Sequence, residues 1–234
     1  MDARIKILLS RYQRYVIVAL VVCLSISILG FSVKYFSMEQ NEKKIETLER
    51  ALMDLKAAMN IDSVRQFNIQ KVMKIIDQHN PSLPSSVKYE IANEIYNMSV
   101  KYTNLDVELL CATITYETGG TWNPTATSQA GAMGLMQIMP ATGIFLAAYE
   151  NLTWTNAEEV LYKPTYNIRL GARHLSALID IYGLEGGLAA YNGGEKQAAL
   201  WLANNKADGI LATETQNYVP AVLKLYNEYQ KFSM

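Results

Sequence analysis

A carboxylate stands where an apolar helix face ends. Leu110, Ile114 and Glu117 are spaced four and three residues apart, so on a helix they share one side, and the stripe that faces a core closes on an acid. Thr118, Gly119, Gly120, Thr121, Trp122, Asn123 and Pro124 follow directly and spell a helix stop. That places Glu117 at the lip of the core beside a loop, where loss of water disfavours the charged form and raises the pKa; a carboxyl protonated near neutral pH is a general acid. The plainer alternative is a helix-end glutamate facing water. The other reactive side chains offer less. His79 and His174 stand apart from any Cys or His at metal-ligand spacing, Cys23 lies in an apolar run and Cys111 in an expected helix, and no nucleophile motif accompanies His174. No metal site or disulfide framework is expected.

The elements that must position Glu117 read as helices. Asp106 is placed to cap the helix that carries Leu109, Leu110, Thr113 and Ile114. Before it, Val87, Ile91, Ile95, Met98 and Tyr102 recur at helical spacing. Further helical stretches are PTYNIRLGARHLSALIDIYG, GLAAYNGGEKQAALWLANN and YVPAVLKLYNEYQ, the last admissible if Pro220 falls in a first turn. No strand pairing and no internal repeat is evident, so the expected fold class is all-α.

The 234 residues carry 21 basic and 22 acidic side chains, a net charge of −1 that leaves no surplus to neutralise a phosphate backbone; nucleic acid is not an expected partner. The stretch 15–33 holds no charged residue and, as a helix, covers ~30 Å of hydrocarbon, which predicts a transmembrane helix. Arg4, Lys6, Arg11 and Arg14 precede it against Asp2 alone, whereas Lys34, Glu39, Glu42, Lys43 and Lys44 are mixed, so residues 1–14 are expected in the cytoplasm and the rest outside it. A cleaved signal peptide is the competing reading, but the apolar run continues past its small-residue site at Ser25 and Ser27.

Beyond Met38, the residues Ile45, Leu48, Leu52, Leu55 and Met59 alternate steps of three and four, a heptad seam with Lys44 and Glu49 on its flanks, interrupted at Asn41 and Asp62. Residues 34–80 are read as a helical stalk, forming a short coiled coil that self-associates or meets an envelope partner through 38–60, or resting as a plain amphipathic helix. Ile61, Val64, Val72, Ile75 and Ile76 continue the helical pattern, and Pro81 and Pro84 set the expected boundary of a domain covering 81–234.

Three motifs in order then carry a resemblance. ETGGTWNPTATSQAGAMGLMQIMPAT at 117–142, AAYNGG at 189–194 and ETQNYV at 214–219 resemble the lytic transglycosylase catalytic domain of the goose-type lysozyme superfamily, over roughly 85–232. The resemblance implies an all-α, lysozyme-like fold and makes Glu117 the catalytic acid and base. It implies substrate contacts at Thr118, Gly134, Met136, Gln137, Tyr191, Asn192, Glu214 and Tyr218. The family usually has Glu-Ser-x-Phe-Asn-Pro, whereas this chain has Thr118 for the serine and two extra residues before Asn123, with Trp122 in the aromatic place. Tyr116, Trp122, Tyr191 and Tyr218 are equally readable as core aromatics, the glycines at 193 and 194 as a helix stop, and Glu214 as a capping residue.

The implied activity is cleavage of the β-1,4 bond between N-acetylmuramic acid and N-acetylglucosamine in peptidoglycan. Ordinary glycosidases pair two carboxylates. The resemblance implies one, with the sugar's own N-acetyl group assisting and its C6 hydroxyl attacking, so that the product ends in a 1,6-anhydro sugar without a cofactor. Two alternatives stand beside it. One is a hydrolysing goose-type lysozyme whose second acid is Glu150, Glu195 or Glu214. The other is a non-cleaving peptidoglycan-binding scaffold of an envelope or secretion assembly. The expected location is the inner membrane, single pass, with the catalytic domain in the periplasm.

Overall fold

The computed structural model describes residues 3–232, with the side chains of 3–11, 13 and 19 left aside. The basic residues Arg4, Lys6 and Arg11 and the opposing Asp2, on which the topology expectation rests, therefore lie outside the described side chains.

The chain divides into two compact units, 1–62 and 63–234. The first is helical throughout its described length, as part of α1 (Ala3–His79). An 18-residue window of it reaches a mean hydropathy of 2.8 with none of it buried, so one helix among the described residues is long and apolar enough to cross a membrane. Farther along, ion pairs four residues apart join Glu39 to Lys43 at 2.8 Å and Glu46 to Arg50 at 2.6 Å.

The second unit begins earlier than the prolines suggest. Ile69, Val72, Ile75 and Ile76, on the last turns of α1, are 0–1% exposed and belong to the core. Arg65 donates to Asn93, Lys71 pairs with Glu108, Lys88 pairs with Asp77, and His79 Nε2 lies 2.9 Å from the Tyr229 hydroxyl. The division thus falls before Ser63 rather than at Pro81, because the apolar stripe of residues 69–76 has to be covered and this unit covers it.

Seven more helices follow: α2 (Ser85–Lys101), α3 (Val107–Glu117), α4 (Pro140–Tyr149), α5 (Ala157–Leu161), α6 (Pro164–Gly193), α7 (Glu195–Ala203) and α8 (Thr213–Gln230). Among the described residues there is no strand, only isolated bridges from Met133 to Thr127 and to Ile138. Helix α3 runs through the middle, with Val107 and every residue from Leu109 to Thr115 buried, packed against α8 and α2. Its start is fixed by Asp106, whose Oδ1 accepts from the Leu109 amide at 2.7 Å.

Two helical stretches break where glycine takes a positive φ. Helix α6 is interrupted at Gly183 (φ 71°), and the expected run through residues 187–205 stops at Gly194 (φ 85°), separating α6 from α7. Helix α8 departs from expectation in the other direction. It starts at Thr213, so Pro220 sits in its interior and not in a first turn. The helix tolerates the lost amide because its buried face, through Thr215, Tyr218, Val219 and Val222, is held by tertiary packing.

Candidate active site

Helix α3 delivers Glu117 and then stops abruptly. The Gly120 amide reaches back to the Thr115 carbonyl at 2.7 Å, with Gly119 and Gly120 at φ 56° and 77°. The two extra residues are absorbed by an ordered loop. The Thr118 hydroxyl donates to the Ile114 carbonyl at 2.8 Å and accepts from the Trp122 amide at 3.0 Å, pinning Trp122 at φ 47°. The Trp122 indole is fully buried and donates to Thr115 Oγ1 at 2.9 Å; that hydroxyl lies 2.9 Å from the Tyr229 hydroxyl, which meets His79. Trp122 is a core aromatic that anchors the loop from behind.

The segment 126–138 forms the facing wall. The Met133 and Ile138 backbones pair, and Gly134 (φ 78°) turns between them; a β-carbon there would come within 2.2 Å of Asn167 and 2.3 Å of the Leu161 carbonyl. Asn167, fully buried on α6, latches this turn. Its Nδ2 donates to the Met133 and Leu161 carbonyls at 2.8 and 2.9 Å, and its Oδ1 accepts from the Met136 amide at 2.7 Å. Gln137, at φ 48°, donates from Nε2 to the Gly134 carbonyl at 2.8 Å.

The third and fourth walls come from the ends of α6 and α8. Tyr191 donates to the Met136 carbonyl at 2.7 Å, and Thr215 donates to Asn192 Oδ1 at 2.7 Å. A β-carbon on Gly193 would come within 2.6 Å of Thr215 Oγ1, so this glycine allows the two helices their close approach. Together these elements enclose a cleft of about 380 Å³ lined by Tyr116, Glu117, Ser128, Ala130, Ala132, Gln137, Met139, Tyr191, Asn192 and Glu214.

Five of the nine residues singled out in the sequence meet in that cleft: Glu117, Gln137, Tyr191, Asn192 and Glu214. The other four stand behind it. Thr118 spends its hydroxyl on the loop, Gly134 serves the turn, Met136 is fully buried against Gly171, and Tyr218 is fully buried with its hydroxyl 2.8 Å from Glu117 Oε1. These four support the walls and do not line them. Asn167, Ser128, Ala130, Ala132 and Met139 were not anticipated.

The electrostatics centre on Glu117. Burial pushes its carboxyl up to about 7; the hydrogen bond from Tyr218 opposes this and the charge of Glu214 adds to it. Burial, reinforced by the neighbouring Glu117, pushes the Tyr218 and Tyr191 phenols well above their usual value, so both remain donors. Of the three candidate second acids, only Glu214 shares the cleft. Glu150 lies elsewhere, its side chain 2% exposed and held by Lys101, Tyr102 and Arg173. Glu195 accepts from Tyr182 and lines a larger, mainly apolar concavity of about 550 Å³ with Phe145, Tyr149 and His174. The smaller cleft is the chemical one, because it pairs a carboxyl poised between its two protonation states with amide and hydroxyl groups.

An all-helical domain with one such carboxyl on the floor of a polar and aromatic cleft belongs to the class of lysozyme-like folds. The transglycosylase SLT domain profile matches residues 94–213, more than half of the chain, and the chain belongs to that family. A putative soluble lytic murein transglycosylase of Haemophilus influenzae is 34% identical over 150 residues, 59% of this chain and 24% of the relative. The transglycosylase of Enterobacteria phage PRD1 is 44% identical over 105 residues, 44% of this chain and 35% of that protein. Among solved structures, an inactive mutant of the lytic transglycosylase Slt from Pseudomonas aeruginosa superposes with a TM-score of 0.53 at 26% identity, covering 59% of this chain and 23% of the other. The chain therefore spans between a quarter and about a third of the length of these relatives.

Proposed function

We propose that the chain is a peptidoglycan lytic transglycosylase that cleaves the β-1,4 bond between N-acetylmuramic acid and N-acetylglucosamine. The observation that carries the reading is Glu117, held on the cleft floor by Tyr218 with a pKa of about 7. The names of its relatives support it.

The proposed chemistry needs one carboxyl used twice. Neutral Glu117 donates its proton to the bridging oxygen as the bond to C1 of the muramic acid breaks. The leaving sugar departs as an alcohol, and the substrate's N-acetyl group shields the electron-poor carbon. Glu117, now charged and accepting from Tyr218, takes the proton of the C6 hydroxyl as that oxygen closes on C1. The carboxyl ends as it began, and the product ends in a 1,6-anhydro ring. Gln137, Asn192 and the faces of Tyr116 and Tyr191 offer the amide and apolar surfaces that an N-acetyl sugar needs.

Glu214 favours a second reading. As the one other carboxylate in the cleft, and one whose charge reaches Glu117, it can serve as a base for water, giving hydrolysis and reducing ends. Digestion of purified sacculi by the full chain, with mass analysis of the fragments, separates the two outcomes by the 18 Da of water that an anhydro end lacks. Anhydro ends support the lytic route, reducing ends the hydrolytic one, and intact sacculi overturn both in favour of a binding scaffold.

The same proposal places the chain in the inner membrane by its apolar helix, residues 1–14 in the cytoplasm and the SLT domain in the periplasm, within reach of murein. Relatives named as membrane-bound lytic murein transglycosylases are in keeping with an anchored enzyme.

A further inference from the structure

Five large apolar side chains of the first unit form an uncovered row. Ile45, Leu48, Leu52, Leu55 and Met59 are 51–67% exposed, and their steps of three and four put them at successive a and d positions of one helix seam. Single exposed apolar residues are ordinary, but an aligned row of this length is the mark of an interface.

The charged residues are sorted around that row. Glu39 with Lys43 and Glu46 with Arg50 are satisfied within the helix, and all four occupy b and f positions on the side away from the seam. Lys44 and Glu49, at g and e on either side of it, make no ion pair among the described residues. In a parallel two-stranded coil a g residue faces the e residue five positions further along its partner, so Lys44 of one copy meets Glu49 of the other, twice by symmetry.

We infer that residues 45–59 are a homodimerisation seam, the second copy of this chain lying parallel and in register. The parallel choice rests on the anchored reading proposed above. Two spans in one bilayer point the same way, and the seam starts only about 12 residues beyond the span, so an antiparallel partner would hold its own span tens of ångströms away from the bilayer. A seam of about two heptads is marginal for helices free in solution; confinement to one membrane raises their effective concentration and offsets the short length. The seam lies wholly within residues 1–62, so its loss leaves the core of the second unit untouched.

The test is cysteine cross-linking of the full chain in membrane vesicles, in a Cys23→Ala background, since Cys111 is buried. Leu48→Cys and Leu55→Cys, each at a d position, should give disulfide dimers on mild oxidation, and Arg50→Cys on the outer face should not. Lys44→Glu should reduce the Leu48→Cys dimer several-fold, and adding Glu49→Lys should restore it. In detergent, Leu48→Asp with Leu52→Asp should halve the protein mass to that of one 26.2 kDa chain. A wild type that is monomeric in detergent and uncross-linked in vesicles overturns the seam, as does a double variant that stays dimeric. Cross-linking between co-expressed Ile45→Cys and Met59→Cys chains overturns the parallel arrangement. Release of the chain from vesicles by alkaline carbonate would instead count against the anchor and leave the cross-linking result to stand by itself.

Discussion

The Tyr218 hydroxyl donates to Glu117 Oε1 across 2.8 Å, from the first half of α8 to the last residue of α3. The bond fixes the carboxyl's orientation and favours its charged form, while burial works against that form and wins, leaving the pKa about 7. Glu117→Gln keeps the shape and a hydrogen bond to Tyr218 but has no proton to give. Lysis of sacculi should fall by at least about 10³-fold, with sedimentation of the protein on sacculi preserved. Lysis by the variant at the wild-type rate would remove Glu117 from the chemistry.

The pH profile follows from the same balance. The acid must be protonated, so the rate should fall as pH rises through about 7. Tyr218→Phe removes the bond that favours the carboxylate, so the falling limb should move to higher pH, by about one unit for the loss of a charge-assisted bond. The rate below that limb should drop as well, since the carboxylate loses its orienting partner. A merely structural role for Tyr218 would lower the rate without moving the limb.

Stability should show the same preference for the protonated carboxyl. In the unfolded chain a glutamate titrates near its ordinary value; in the fold Glu117 titrates at about 7. Between those values the folded state binds the extra proton, so stability is highest at low pH and declines as pH rises through about 7. Glu117→Gln escapes this decline. Thermal unfolding should show the variant about 1–3 kcal/mol more stable than wild type at pH 8, with the gap closing by pH 4.5. A gap that does not change with pH would mean that the carboxyl is solvated.

How much of this was legible depended on whether a residue's role leaves a periodic trace. Helix α2 buries one side and shows it in the spacing of Ile91, Ile95 and Met98, whereas α3, buried all round from Leu109 to Thr115, is legible from its Asp106 cap and its apolar run. Helix α4 escaped because PATGIFLAAY is apolar all round, with Ile144 and Phe145 exposed, and α5 is five residues long. Residues 69–76 carried the right spacing, yet Pro81 drew the boundary after them; a turn inside a domain and a linker between domains look alike in sequence. The cleft residues with polar tips were found through motif order. Asn167 was not, because a buried asparagine that satisfies three backbone groups is spelled like any surface one.

That latch makes its own prediction. Asn167→Leu removes the side-chain partners of the Met136 amide and the Leu161 carbonyl in a fully buried position, and one of two donors to the Met133 carbonyl, which keeps the Ile138 amide. Unpaired buried groups cost about 1–3 kcal/mol each, so destabilisation of about 3 kcal/mol or more is expected in urea unfolding, together with a raised KM because Gln137 and Tyr191 both lean on this turn. Gly134→Ala should destabilise comparably, since its β-carbon has Asn167 and a carbonyl in the way. If either variant kept wild-type stability and KM, the turn would be adaptable and the wall it forms would not be a preset surface.

The last prediction concerns where the folding unit begins. Ile69, Val72, Ile75 and Ile76 are each at most 1% exposed, and burying an aliphatic side chain contributes about 1.5–3 kcal/mol. Removing residues 1–80 deletes all four, along with Lys71, which pairs with Glu108, and His79, which reaches Tyr229 behind the Trp122 loop. The sum, about 6–12 kcal/mol, is comparable to the whole stability of a domain. A fragment of residues 63–234 should therefore fold cooperatively and digest sacculi, whereas 81–234 should show lost near-ultraviolet dichroism and rapid proteolysis. Cooperative melting of the shorter fragment at the temperature of the longer one would return the boundary to Pro81 and make the last turns of α1 an accessory to the fold.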